Sequence, residues 1–411
     1  MKKKKLKNGL NVNFKQNSQN DIISIGFFFK VGSQNENEEN NGITHLLEHF
    51  LAETFVEQNK LLGAVANAVT TREYMCFVSK GIVKDFEKIV LIFKNNLILN
   101  NQFSIKNKKL KYIVLREINQ FNVVAENRNL SRLFKLHLEK DPLRFNVLGK
   151  AENIEQITLN QLEQHYGNYL LPDNAVLSIV GNLEADYVIN YIEKVFSDWQ
   201  GTTKVSNDLK PVNLHENKFE MQQWDINKAV IDISFDGINK KNRDLNALKI
   251  ANKILGDGST SYLNRLIRQQ YGYAYLPYSS LFSFERTGLL HIHIDTIGDY
   301  LKQTLKLTAE IFEYIRNKGF TLDEIELAKR DLINENIYNY ETSSSQMTRM
   351  GQGALFLDDS KENFEQKIKL IDRQDVCDLI KNVFSQKQCI AIGSNDILNC
   401  EKEVEILFKG I

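Results

Sequence analysis

The chain has 411 residues, more than one compact core ordinarily holds, so two domains of about 200 residues each are expected. With 42% hydrophobic and 25% charged residues, it falls outside the disordered range. The 52 Lys and Arg against 52 Asp and Glu leave no net charge, which excludes a global electrostatic grip on nucleic acid.

The basic start, Met1 to Lys5, is followed by Asn8, Gly9 and Asn11 where a secretory signal would need an apolar stretch. A strand is predicted at Ile22–Phe29. That run and the one at Ile89–Phe93 are too short for the ~20 residues of a membrane span. Long helical patterns open at Phe103-Ser-Ile-Lys and at Thr158-Leu-Asn-Gln-Leu, the second leading into the strand Ala175–Gly181. Residues 201–221 are polar, contain Pro211 and lack apolar periodicity, which marks a linker.

Beyond it the same order returns. A strand at Val230–Phe235 is followed by a helix near Asn246–Leu255. A long helix then opens at Phe320-Thr-Leu-Asp, and another at Asp372-Arg-Gln-Asp leads into the strand Cys389–Gly393. The fold class expected is therefore α+β, with two similar domains related by duplication. Residues 1–200 and 222–411 each form a mostly antiparallel sheet packed with helices. Cys76, Cys377, Cys389 and Cys400 lack Cys-x-x-Cys spacing and are too sparse for a disulfide framework, so a cytoplasmic protein with no membrane partner is expected.

The sharpest chemical feature is His45-Leu-Leu-Glu48-His49. Residues four apart on a helix share a face, so both imidazoles project together with the Glu48 carboxylate. Two neutral imidazoles and a carboxylate base are what a catalytic zinc site requires, and H-x-x-E-H inverts the commoner H-E-x-x-H order. A third protein ligand is needed, and Glu117 is the best candidate. It shares a helix face with Leu110, Ile113, Val114 and Phe121, where a carboxylate is costly to bury unless paired or bound to metal. A salt bridge to a nearby lysine, or a place at the edge of the stripe, would explain it equally well. His291 and His293 alternate along a predicted strand and could form a metal pair, but with no carboxylate pattern nearby they are read as structural, and His137, His165 and His215 as isolated.

Together with Asn67-Ala-Val-Thr-Thr-Arg-Glu73, Leu115-Arg-Glu117-Ile, Asp141-Pro-Leu, Tyr169-Leu-Leu-Pro-Asp-Asn174 and Gly258-Ser-Thr-Ser-Tyr-Leu263, these residues resemble the pitrilysin family of inverzincin metallopeptidases, which includes the mitochondrial processing peptidase. The resemblance runs along nearly the whole chain. It implies one Zn2+ per chain on His45, His49 and Glu117, with Glu48 activating water. It implies that Asn67, Ala68 and Thr70 pair an extended peptide by β-augmentation, and that Arg268 and Tyr275 hold its carbonyl and help stabilise the oxyanion.

Three features depart from the family. The spacing from His49 to Asn67 is short, Leu110 replaces an acidic residue, and Ala52-Glu53-Thr54 replaces an aromatic and a glycine. The helix near Asn246–Leu255 has no histidine, so the second half has no zinc set of its own. The family encloses a chamber with four such units, so a homodimer, or a heterodimer with a related chain, is expected. The function expected is a zinc endopeptidase cleaving unstructured peptides or leader segments. The alternative is a non-catalytic binding or structural partner subunit.

Overall fold

A computed structural model describes residues 1–98, 107–203, 216–356 and 363–395. The linker expected at 201–221 falls largely on residues 204–215, outside the described residues, as do His215, Cys400 and the helix opening expected at Phe103. The chain forms two compact units. The first gathers Met1–Gln120, Phe145–Asp208 and Ile337–Asp359, and the second Phe121–Arg144, Leu209–Asn336 and Ser360–Ile411.

The first unit is built on a six-stranded sheet. Its strands are β1 (Lys2–Lys5), β2 (Asn11–Gln16), β3 (Ile22–Phe29), β4 (Val65–Thr70), β5 (Met75–Ile82) and β6 (Ala175–Gly181), in the order β1-β2-β6-β3-β5-β4. Only β2 and β6 run parallel. β3 is covered on both faces. Ile23, Ile25, Phe27 and Phe29 point into the main core with Leu46, Phe55 and Phe93, while Phe28 packs on the opposite face with Met347 and Phe356. The helix Ser343–Phe356 lies so close there that a Cβ on Gly26 would sit 2.2 Å from the Met347 sulfur, and one on Gly351 2.2 Å from the Phe28 ring. Ser178 donates to the Met347 carbonyl at 2.9 Å.

The second unit holds β7 (Lys218–Gln223), β8 (Ala229–Asp236), β9 (Tyr278–Ser283), β10 (Gly288–Thr296) and β11 (Gln388–Ser394), in the order β7-β11-β8-β10-β9. Again only the first pair, β7 and β11, is parallel. Without β1, the first sheet has the same order and the same strand directions, so the two units share one topology. The matching helices agree in detail: Leu159–Tyr169 and Arg373–Phe384 both begin with a reciprocal cap, Thr158 with Gln161 and Asp372 with Asp375. The duplicated α+β architecture read from the sequence is the observed one.

The units interleave along the chain instead of meeting at a single linker. The helix Ala125–His137, early in sequence, covers the second sheet, where Leu133 packs on Cys389 and Ala391 and Phe134 on Phe284 and Leu289. The helix Ser343–Phe356, late in sequence, belongs to the first unit. Amphipathic periodicity identifies such helices but does not say which sheet they cover. Among the described residues no helix is long and apolar enough to cross a membrane.

Candidate metal centre

The helix Ile43–Leu61 carries the histidine motif, and its start is fixed by a buried acid. Glu36 accepts from the Gly42 amide and the Asn41 side chain, both at 2.8 Å, and from the Thr44 amide at 2.9 Å. A carboxylate at a helix N-terminus satisfies otherwise orphaned N–H groups and complements the helix dipole. Burial pushes its pKa up to about 7, against the lowering effect of these hydrogen bonds. Gly42 sits at φ +104°, where a Cβ would also strike Ile154 and Gly149, so glycine is needed at this entry. Thr44 further binds His165 at 2.9 Å, whose pKa burial lowers to about 4.

From this anchor His45 and His49 project side by side, their rings edge to face with centroids 4.7 Å apart. Glu117, on the helix Asn107–Val123, meets both. Its Oε2 lies 3.5 Å from His45 Nε2 and 3.4 Å from His49 Nε2. Leu110, Val114 and Ile118 hold that helix in the core, which places Glu117 at the rim of the apolar stripe, half-exposed. The competing lysine salt bridge is made instead by Lys109, whose ammonium is 2.8 Å from Glu53 on the histidine helix. Glu53, one of the departures from the family, thus ties the two ligand-bearing helices together.

The donor set suits zinc. Bonds of about 2.0–2.2 Å to nitrogen and oxygen separate tetrahedral ligand atoms by roughly 3.3 Å, close to the spacing found and longer than an ordinary hydrogen bond. Burial, helped by the neighbouring His49, lowers His45 to about pKa 3, so the imidazole is neutral and its nitrogen lone pair is available. Glu48 stands beside the set. Burial raises its pKa and Glu117 adds to this, while His49 and hydrogen bonds from Thr70 pull it back.

Asn67, Ala68 and Thr70 lie on β4, the last strand of its sheet, so among the described residues its outer edge pairs with no strand. Alternation turns Ala68 and Thr70 toward the histidine helix and leaves Asn67 exposed. The short link from His49 is accounted for by the rest of the helix and a three-residue connection, in which Gly63 adopts φ +79°.

Arg268 and Tyr275 lie in the second unit and contact one another, the guanidinium 4.9 Å from the ring centroid. Tyr275 is 72% exposed, so it is not a core residue. His291 and His293 prove to be partnered by a carboxylate on the next strand. Asp232 Oδ1 is 2.7 Å from His291 Nε2 and 2.8 Å from His293 Nδ1. These are hydrogen-bond distances, too short to bracket a cation. Register pairs His293 with Asp232, a relation that sequence spacing alone does not reveal. His137 is likewise held, by Ser234 at 2.8 Å and Asp236 at 2.9 Å.

Residues 11–150 match the family described as insulinase (peptidase family M16), and residues 156–332 the peptidase M16 inactive domain. Together these matches span well over half of the sequence. The chain belongs to the M16, or pitrilysin, family of peptidases. An uncharacterized zinc protease of Bacillus subtilis, YmxG, is 25% identical over 398 residues, covering 94% of this chain and 96% of its own. In fold, the chain is similar to a peptidase M16 inactive domain from Pseudomonas fluorescens, with a TM-score of 0.89, 18% identity and coverage of 96% and 98%. A chain of complex III2 from Candida albicans gives 0.85 at 19% identity, with 99% of each chain covered. The inactive-domain match agrees with the second unit's helix Leu245–Leu255, which has no histidine where the first unit has two.

Proposed function

We propose that this chain is a zinc-dependent endopeptidase that cleaves unstructured peptides or leader segments. One observation carries the reading: Glu117 converges at metal-ligand spacing on His45 and His49, with Glu48 on the histidine helix, beside a strand edge that pairs with no strand among the described residues. Zinc held by these three residues would supply Lewis acidity toward the scissile carbonyl and the attacking water. Glu48 is the general base and proton shuttle. It takes a proton from water and returns it to the leaving amine, a task suited to a carboxyl whose pKa burial has raised. The outer edge of β4, with Asn67, Ala68 and Thr70, adds the substrate as a further strand, which reads backbone and tolerates many sequences. Arg268 and Tyr275 are assigned to gripping the substrate carbonyl, as the family resemblance implies. The working form is a homodimer, or a heterodimer with a related chain, that encloses the peptide.

A non-catalytic subunit is the competing reading, since the same fold occurs in a chain of complex III2. Retention of all four of His45, Glu48, His49 and Glu117 favours catalysis, because a binding subunit has no use for the base. The test is cleavage of a quenched, unstructured peptide of about twenty residues by the zinc-loaded protein and by Glu48→Gln. Loss of at least ~10²-fold in rate with zinc still bound supports the reading. No cleavage by the zinc-loaded wild type, alone or with a related chain, refutes it.

A further inference from the structure

Thr70 is assigned to the substrate strand through its main chain, and its side chain has a further partner in the base, Glu48. The Thr70 hydroxyl donates to Glu48 Oε2 at 2.9 Å. Thr70 closes β4, whose alternation turns this side chain inward toward the histidine helix, while among the described residues the strand's outer edge pairs with no strand. Glu48 is itself buried, 8% exposed, so its carboxyl cannot rely on bulk water to fix its orientation. Glu48 has three rotatable side-chain bonds and sits on a helix. It would otherwise be free to swing toward the imidazoles of His45 and His49.

We propose that Thr70 is a positioning residue that holds the Glu48 carboxylate through its hydroxyl, so that one strand both receives the substrate backbone and orients the base. This deepens the endopeptidase reading and rests on it for its catalytic consequence. Substrate pairing to β4 uses main-chain groups, so the Thr70 side chain has no part in it. Its role is therefore separable from substrate binding. Loss of the hydroxyl should lower kcat and leave KM nearly unchanged, because the base is misdirected only in the chemical step.

Two measurements test this. In peptide cleavage, T70V should lose about 10- to 100-fold in kcat, the range expected for a hydrogen bond to a charged group, with KM within about twofold. T70S, which keeps the oxygen, should restore most of the rate. A purely structural role would lower both variants through stability and would not separate kcat from KM. The second measurement uses metal-free protein and needs no activity: urea midpoints of wild type, T70V, E48A and the double variant. T70V should lower the midpoint when Glu48 is present and have little effect in the E48A background.

Equal midpoint shifts in the two backgrounds would overturn the inference, as would a rise in KM at constant kcat. An inactive wild type with non-additive midpoints would instead refute the endopeptidase reading and leave the Thr70–Glu48 link standing.

Discussion

The buried cluster of Asp232, His291 and His293 on the second sheet makes stability depend on pH in a defined direction. Burial alone would lower the pKa of His293, but hydrogen bonds and charge from Asp232 and Asp295 outweigh it and raise the group to about 9. A group whose folded pKa is raised contributes fully below its unfolded value, near 6.5, and loses that contribution as pH climbs through about 9. The difference of about 2.5 units corresponds to roughly 3 kcal/mol. His293→Asn removes the titration while keeping a side chain of similar reach, so the stability gap between wild type and variant should narrow by about 3 kcal/mol from pH 6 to pH 9.5. The assay is urea unfolding of metal-free protein followed by Trp224, which reports the second unit because Arg128 of the helix Ala125–His137 stacks on it at 4.1 Å. Trp199→Phe removes the other tryptophan, which sits in the core of the first unit. A gap that stays constant across that window would refute the ionic account of this cluster.

At the acid end the same cluster acts in the opposite sense. Burial opposes ionisation of Asp232, yet the two histidines bring its pKa below the usual carboxylate range, so its contribution is present above pH ~4 and fades below it. Asp232→Asn should weaken that acid transition, read by the same fluorescence. Glu36→Ala strands the Gly42 and Thr44 amides and should cost about 2 kcal/mol in urea unfolding, with weaker zinc binding by titration calorimetry because the histidine helix loses its anchor. Gly351→Ala places a Cβ against the fully buried Phe28 ring and should destabilise the first unit by about 1–3 kcal/mol, read as a lower midpoint by Trp199 fluorescence. Light scattering after size exclusion should give twice the chain mass at micromolar concentration; a monomer mass would argue against the homodimer.

Much of the fold and site was legible because it rests on short-range pattern. Four-residue spacing puts His45 and His49 on one helix face whatever the surroundings, and the recurring strand and helix signals expose the duplication. The caps at Thr158 and Asp372 are local chemistry. Glu117 was legible only in part. Its apolar neighbours predicted an inward face, but nothing in its own helix says that the face meets the histidine helix.

What tertiary structure alone decided is long-range pairing. Only strand register brings Asp232 against His291 and His293 and shows their contacts to be hydrogen bonds. Only the fold sets Glu36 under the start of the histidine helix and Thr70 against Glu48. The exchange of the helices Ala125–His137 and Ser343–Phe356 between units was hidden for the same reason. Periodicity encodes that a helix has an apolar face, whereas the surface that face covers depends on shape complementarity between segments far apart in the chain.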